Sequence, residues 1–463
     1  MKILFIYPVI GYRPTFNQGI GYLSAVLKAN GHKTDLMFLT SMDFSKVKNK
    51  IESYKPDIVV FSCTYNHWKL TKDISKKIKE SSDLPIFVGG AHTTLFPDAI
   101  QETDAIDGIC RGEGEYALLE LVNKIEGGKT YYDTRNFWFR DGSQIIRNEL
   151  RPLIENLDDL PFPDRSIFPK ETILVYPNFN FSRGCPFDCT YCCNHALRKI
   201  YSGLGNFIRH RGVKTAISEI AEVIETFNPD ALHFDDDTFT KNSRWLDEFC
   251  TEYKKNFDLP FRCNTRAELF NEKTAKLLKH AGCDRIGIGI ESGDERLRKE
   301  VLRRHATNKD IIRAFKIARS HGFGTWSFNM IGIPGETKEG VERTIRLNQI
   351  VRPDKLHLSI FYPYPGTELG DFCISRGHVV EKDSYNFFDD TVLNLPDFPP
   401  EDILECARNF HYNVYKTYSL KKAYLYLINS RFKFARSTYL TPDFLTNVRN
   451  IYKRIVDVKN RNN

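Results

Sequence analysis

The stretch Ser182–Asn194, SRGCPFDCTYCCN, places Cys185, Cys189 and Cys192 in a C-x3-C-x2-C spacing, with Cys193 directly behind. Three thiolates on one short loop can grip three irons of a cubane iron–sulfur cluster, leaving the fourth iron without a protein ligand and open to substrate. Gly184 and Pro186 suit a tight loop, and Phe187 and Tyr191 would shield a cluster from water. A zinc knuckle or a chance group of buried cysteines is the competing reading. Zinc takes four ligands, usually in two paired sets, and no second cysteine pair follows at finger-like spacing. His195 stands close enough in sequence to be a fourth ligand, but reads better as a solvated or capping residue. Cys193 is an alternative to Cys192, although the three-two spacing favours Cys192.

Downstream of the loop, apolar runs alternate with amphipathic helical patterns: ALHFDDD, FRCNTR, RIGIGIES, TWSFNMIGIPGE and KLHLSIFYPYPGTEL each end a strand and precede or follow a helix. With YPNFNFSRG before the loop, six strands and their helices predict an incomplete TIM-type barrel, whose site lies at the carboxyl ends of the strands. A doubly wound sheet is the structural alternative. The strand ends carry Asp235, Asp236 and Asp237, then Asn264 and Arg266, then Glu291, Ser292 and Gly293, then Gly332, Pro334 and Gly335, while Arg304 follows in LRRH. Each group has a plain structural reading as a cap, turn or salt bridge.

Upstream, KILFIYP, TDLMFL, DIVVFSC and PIFVGG are continuous apolar strands separated by helical patterns, which predicts a parallel sheet covered on both faces. Ligands sit at the carboxyl ends of such strands. Those ends are Pro8–Thr15, Thr64–His67, Gly89–Thr94 and Gly112–Glu115, all rich in glycine or small polar residues. NFWFRDGSQIIR reads as a hairpin turning at Asp141-Gly142. ENLDDLPFPDRSIFP, with three prolines and little periodicity, reads as an extended linker. The expected organisation is α/β: a Rossmann-like doubly wound parallel sheet over 1–150, a linker over 151–172, a partial (β/α)6 barrel over 173–370 and a mainly helical region over 371–463.

With 463 residues the chain suits two or three cores, and its 41% hydrophobic and 27% charged residues describe a folded protein without an apolar run long enough for a membrane span. A net charge of +7 is modest at this length. The basic stretch from Arg431 to Asn463 lacks an aromatic-basic nucleic-acid motif and reads as a solvated helical tail. Eleven cysteines, with no small-residue cleavage site after MKILFIYPVIGYRP, argue for reduced thiols and a cytoplasmic location.

The cluster loop, the barrel-like alternation and the order of the strand-end motifs resemble the radical S-adenosylmethionine enzymes. Through GIGYLSAVLKANGH, VGGAHTT, RGEGE and the connector NLDDLPFPDR, the first 150 or so residues resemble the cobalamin-binding domain often fused ahead of such barrels. The similarity runs to about Leu369. It implies a 4Fe-4S cluster on Cys185, Cys189 and Cys192, whose open iron chelates the methionine end of S-adenosylmethionine and whose electron releases a 5'-deoxyadenosyl radical. It implies S-adenosylmethionine contacts at Asp236, Asn264, Glu291, Ser292, Arg304 and Gly332. Cobalamin contacts are implied at Pro8, Gly11, Thr64, Gly89, Gly90, His92, Gly112 and Glu113. No D-x-H-x-x-G sequence supplies a lower axial histidine, which also admits a domain that has lost the cofactor.

The function implied is methylation of an unactivated carbon in a small molecule, with an electron donor such as flavodoxin or ferredoxin and no nucleic-acid partner. The alternatives are a radical cyclase, oxidase or rearrangement enzyme with the same cofactors, an RNA methylthiotransferase, and a non-catalytic iron–sulfur or cobalamin sensor.

Overall fold

The computed structural model describes residues 1–10, 13–382, 388 and 390–431. Gly11 and the basic stretch over 432–463 lie outside the described residues. Strands β1 (Lys2–Pro8), β2 (Lys33–Leu39), β3 (Ile58–Ser62), β4 (Ile86–Gly89) and β5 (Gly108–Cys110) run parallel. The hairpin β6 (Phe137–Asp141) and β7 (Gln144–Arg147) adds antiparallel strands, giving the order β2-β1-β3-β4-β5-β6-β7. Helices α1 (Gln18–Ala29), α2 (Phe44–Tyr54), α3 (Trp68–Ser81) and α4 (Ala91–Leu95) join the parallel strands, and α5 (Glu115–Glu126) leads from β5 to the hairpin. Ile3 and Phe5 of β1 pack with α1 and α5, whereas Leu4 and Ile6 pack with α2 and α3. Burial on both faces is why β1 reads as an unbroken apolar run. The strand order reverses direction between β1 and β3, which opens a crevice at their carboxyl ends.

The second sheet comprises β8 (Asn178–Phe179), β11 (Leu232–Phe234), β12 (Phe261–Arg266), β13 (Cys283–Glu291), β14 (Gly324–Ile331) and β15 (Lys355–Ile360). Between β8 and β11 lies a small antiparallel pair, β9 (Ser182–Arg183) and β10 (Arg209–His210). The six strands of the second sheet are parallel and run in sequence order from one edge to the other, as a partial barrel requires. α6 (Lys170–Val175) leads into the sheet, and α7 (Cys193–Ile200), α8 (Val213–Phe227), α9 (Ser243–Asn256), α10 (Glu272–Ala281), α11 (Asn308–Ser320) and α12 (Lys338–Val351) follow. Thr307 and Asp310 form a reciprocal capping box at α11, and Asn242 and Asn271 cap α9 and α10. Beyond β15, α13 (Glu368–Ser375), α14 (Pro400–Tyr415) and α15 (Leu420–Arg431) continue the chain, and α14 packs Ile403, Phe410 and Val414 onto the last two strands.

Two expectations need refinement. YPNFNFSRG is not one strand: after β8 the chain leaves the sheet, because the Asp236 carboxylate captures the amides of Phe181 and Ser182 at 2.9 and 2.6 Å. The proline-rich connector has little regular structure, yet it is wired to the barrel. Arg211 donates to the carbonyls of Leu157 and Leu160, and with Arg165 it flanks Glu219 in a buried triad at 3.2 and 2.9 Å. Among the described residues no helix is long and apolar enough to cross a membrane.

Candidate cofactor sites at the junction of the two sheets

The cysteine loop starts at β9 and ends at α7, and three anchors shape it. Asp236 Oδ1 accepts from Phe181 N, Ser182 N and Ser182 Oγ at the start of the loop. Gly184 has φ +85° and lies so close to the Phe207 carbonyl that a Cβ would stand 2.2 Å from it, which admits only glycine before Cys185. In the middle, Thr190 Oγ1 donates to the Val301 carbonyl at 2.6 Å and the Leu369 amide donates to Thr190 O at 3.0 Å. Cys189 is buried and Cys185 and Cys192 are half-buried. Arg266 donates to Cys189 Sγ at 3.4 Å, and its guanidinium lies 3.7 Å from the centre of the Phe187 ring.

Among the described residues no three His, Cys, Asp or Glu side chains converge closely enough to hold one metal ion. Three cysteine thiols on one loop are the donor chemistry of an iron–sulfur cluster, in which each thiolate takes a different iron. Cys193 stands beside Cys192 and shares a hydrogen bond with it.

Next to Cys189 lies a buried polar group. Glu291 ends β13 with φ +62°, a left-handed conformation that a non-glycine residue adopts only under constraint, at an irregularity in the β13–β14 register. Its carboxylate lies 3.5 Å from Arg304, which also donates to Gly289 O at 3.0 Å and to the Tyr191 hydroxyl at 3.5 Å. A π-helical turn, Leu297–Val301, delivers Arg304 to this place. Burial raises the pKa of Glu291, and Arg304 and Arg266 offset part of the rise. Arg304 Nε is buried without a protein partner.

A cavity of about 440 Å³ runs from the interior of the first sheet to the cysteine loop, within the range of small-ligand sites. Phe5, Phe87 and Leu118 line its depth, Gly89, Gly90, Gly112 and Glu113 its rim, and Gly184, Asn194 and Asp237 its barrel side. Burial raises the pKa of Asp237 despite a hydrogen bond with Asn194. At the rim, Arg183 of β9 donates to Glu113 at 2.7 Å and to Glu115 at 2.5 Å, and Arg209 of β10 lies 3.0 Å from Glu113. The Glu113 amide donates to the Tyr201 hydroxyl at 2.9 Å.

The residues expected at the sites divide accordingly. Glu291 and Arg304 meet beside the cysteine loop. Asn264 lies inside the barrel against Gly287 and Phe328. Asp236 is turned to the loop backbone, and burial raises its pKa to about 7; Asp237, its neighbour, faces the cavity instead. Ser292 is fully buried, and its hydroxyl accepts from the Asp294 amide. The Gly332 amide is taken by Glu336 at 2.7 Å. Of the residues expected around cobalamin, Gly89, Gly90, Gly112 and Glu113 line the cavity, whereas Pro8, Thr64 and His92 are not among its lining residues. His92 is buried between Tyr65, Trp68 and Phe96 with neither ring nitrogen bonded, and burial lowers its pKa to about 4. Arg183, Asn194, Tyr201 and Arg209 were not singled out in the sequence; the two glutamates of RGEGE, which need cationic partners, were the available signal.

Comparison with known proteins matches residues 179–347 to the Radical SAM superfamily and residues 12–122 to the B12 binding domain. An uncharacterized methyltransferase of Pyrococcus horikoshii is 28% identical over 410 residues, 86% of this chain and 87% of that protein. An anaerobic magnesium-protoporphyrin IX monomethyl ester cyclase of Rubrivivax gelatinosus is 28% identical over 426 residues, 86% and 74% of the two chains. Among solved structures, the radical S-adenosylmethionine methyltransferase TsrM of Kitasatospora setae, with cobalamin and a [4Fe-4S] cluster bound, superposes with a TM-score of 0.67 at 17% identity, over 82% of this chain and 79% of its own. With both domains on one polypeptide in this order, the chain belongs to the cobalamin-dependent radical S-adenosylmethionine enzymes, whose cofactors are a 4Fe-4S cluster, S-adenosylmethionine and cobalamin.

Proposed function

We propose that this enzyme is a methyltransferase that places a methyl group on an unactivated carbon of a small molecule. The observation that carries the reading is the single cavity bounded by the strand ends of the first sheet on one side and by Gly184, Asn194 and Asp237 of the cluster region on the other. When bound, the cluster and cobalamin supply one-electron chemistry and methyl carriage, leaving binding, orientation and water exclusion to the protein.

In this reading Cys185, Cys189 and Cys192 hold the cluster. Arg266 lies against Cys189 and offsets negative charge there. Arg304 presents its unpartnered Nε to the carboxylate of S-adenosylmethionine, in the manner of a charge-assisted guanidinium pair, and Glu291 accepts from its amino group or ribose. Gly89 lets the backbone approach the nucleotide tail of cobalamin, with Gly90 and Gly112 on the same rim. Residues 1–150 form the cobalamin-binding unit, 151–172 the connector, 173–370 the barrel and 371–463 the C-terminal region. A small acidic redox protein such as flavodoxin or ferredoxin supplies the electron.

A second reading, a radical cyclase with the same cofactors, is favoured by the similarity to the Rubrivivax cyclase. Methyl transfer converts S-adenosylmethionine to S-adenosylhomocysteine, whereas radical generation alone yields 5'-deoxyadenosine. Anaerobic reconstituted enzyme, reductant, hydroxocobalamin and S-adenosylmethionine should give both products. Formation of 5'-deoxyadenosine without cobalamin-dependent S-adenosylhomocysteine would replace methyl transfer with the cyclase reading.

A further inference from the structure

The cavity and the cysteine loop share one set of charges. Arg183 stands two residues before Cys185, on the arm that leads into the loop, and its guanidinium spans Glu113 and Glu115 of the first sheet. Arg209, paired with Arg183 across β9 and β10, lies against the same Glu113 and donates to the Ile154 carbonyl. On the far side of the loop, α7 begins at Cys193 and runs up to Tyr201, whose hydroxyl receives the Glu113 amide. Gly112 makes that contact possible: at φ +75° it leaves open a space in which a Cβ would stand 1.6 Å from the Tyr201 oxygen. One segment, Arg111–Glu115, therefore holds both arms of the cysteine loop.

All five polar residues of this latch, Glu113, Glu115, Arg183, Tyr201 and Arg209, line the cavity. Whatever fills the cavity displaces water from around them. Unit charges attract several-fold more strongly when their surroundings change from bulk water to a protein-like medium. A ligand at the first sheet thereby acts on the loop without touching the cluster.

We propose that Arg183, gripped by Glu113 and Glu115, is a positioning residue that couples occupancy of the cavity to the cysteine loop, so that cobalamin binding tightens the hold on Cys185. The coupling rests on the placement of cobalamin in this cavity. Because linkage is reciprocal, a loaded cluster strengthens cobalamin binding by the same factor.

The test uses anaerobic, cluster-loaded full-length protein challenged with a ferrous iron chelator, with and without hydroxocobalamin. Hydroxocobalamin should slow iron loss by at least about fivefold and shift the midpoint potential of the cluster, since that potential responds to charge and solvent exposure. In Glu115→Gln, and separately in Tyr201→Phe, which keeps the ring and deletes one hydroxyl, the protection, measured at hydroxocobalamin concentrations that saturate each variant, should fall below about twofold. Wild-type protein that binds hydroxocobalamin with no change in iron loss or potential overturns the coupling alone. Variants that keep full protection also overturn it, because protection would then be direct shielding by the corrin. Wild-type protein that binds no hydroxocobalamin overturns the cofactor placement, and the coupling with it.

Discussion

Replacing Arg304 by Met isolates what the buried guanidinium does. Native Arg304 donates to Gly289 O at 3.0 Å and lies 3.5 Å from both the Glu291 carboxylate and the Tyr191 hydroxyl. Met fills much of the same space, so the exchange removes charge more than packing. Glu291 is then buried beside Arg266 but without its nearer cation. Removing one partner of a buried ion pair costs about 3–5 kcal/mol, less whatever is recovered when the orphaned carboxyl takes up a proton. The pKa of Glu291, already raised by burial, rises further in the variant. The folded variant then binds a proton that the unfolded chain releases, so its stability is greatest below the ordinary glutamate pKa. That stability is lost as pH climbs through the raised value.

The double variant Arg304→Met, Glu291→Gln removes the orphaned charge and should lose no more than about 1.5 kcal/mol, leaving a coupling of at least about 1.5 kcal/mol. Affinity for S-adenosylmethionine should not recover with it. Hydrogen bonds to a charged group are worth about 1.5–3 kcal/mol, so single and double variants alike should bind it about 10- to 150-fold more weakly. Anaerobic urea unfolding of the four proteins and calorimetric titration with S-adenosylmethionine read the two quantities separately. Stability losses that simply add in the double variant would refute the buried pair. Undiminished S-adenosylmethionine binding by the double variant would refute the ligand role.

Cys189→Ala should abolish the visible absorption and paramagnetic signal of the cluster, and Cys192→Ala should do the same; retention of both signals by Cys192→Ala with their loss in Cys193→Ala would exchange the two assignments. Glu336 is fully buried, and burial pushes its pKa to about 8 against the pull of the Gly332 and Ile333 amides. The folded state thus holds a proton that the unfolded chain gives up, and stability should fall as pH rises between about 4.5 and about 8. Thermal unfolding of Glu336→Gln should show a flatter dependence across that window, and an unchanged slope would place the titration elsewhere. Gly112→Ala combines a left-handed φ with the clash on Tyr201 and should destabilise by at least about 2 kcal/mol. It should also release hydroxocobalamin on gel filtration; full retention would show that this rim does not shape the site.

The layered architecture was legible because burial on both faces leaves unbroken apolar strands, and because helix signals such as Thr307 with Asp310 are local. The cysteine spacing was legible for the same reason: three cysteines fall within eight residues of sequence. What stayed hidden depends on long-range packing. Strand ends at Pro8, Thr64 and Gly89 look alike in sequence, but the cavity forms on the α1 and α5 side and takes Gly89 while leaving the others out of its lining. Three consecutive aspartates gave no means of choosing among them. The strand geometry turns Asp236 to the loop backbone and Asp237 to the cavity. Arg183 and Glu113 are 70 residues apart in sequence, and nothing local marks either as the partner of the other.

An open cluster on Cys185, Cys189 and Cys192 that binds S-adenosylmethionine is tested by electron paramagnetic resonance of the reduced protein before and after that ligand is added. The expected result is a 4Fe-4S signal whose shape changes on addition, because the ligand enters the coordination of the one iron without a cysteine. A signal that S-adenosylmethionine leaves unchanged would mean that every iron already has its ligands, and would contradict it.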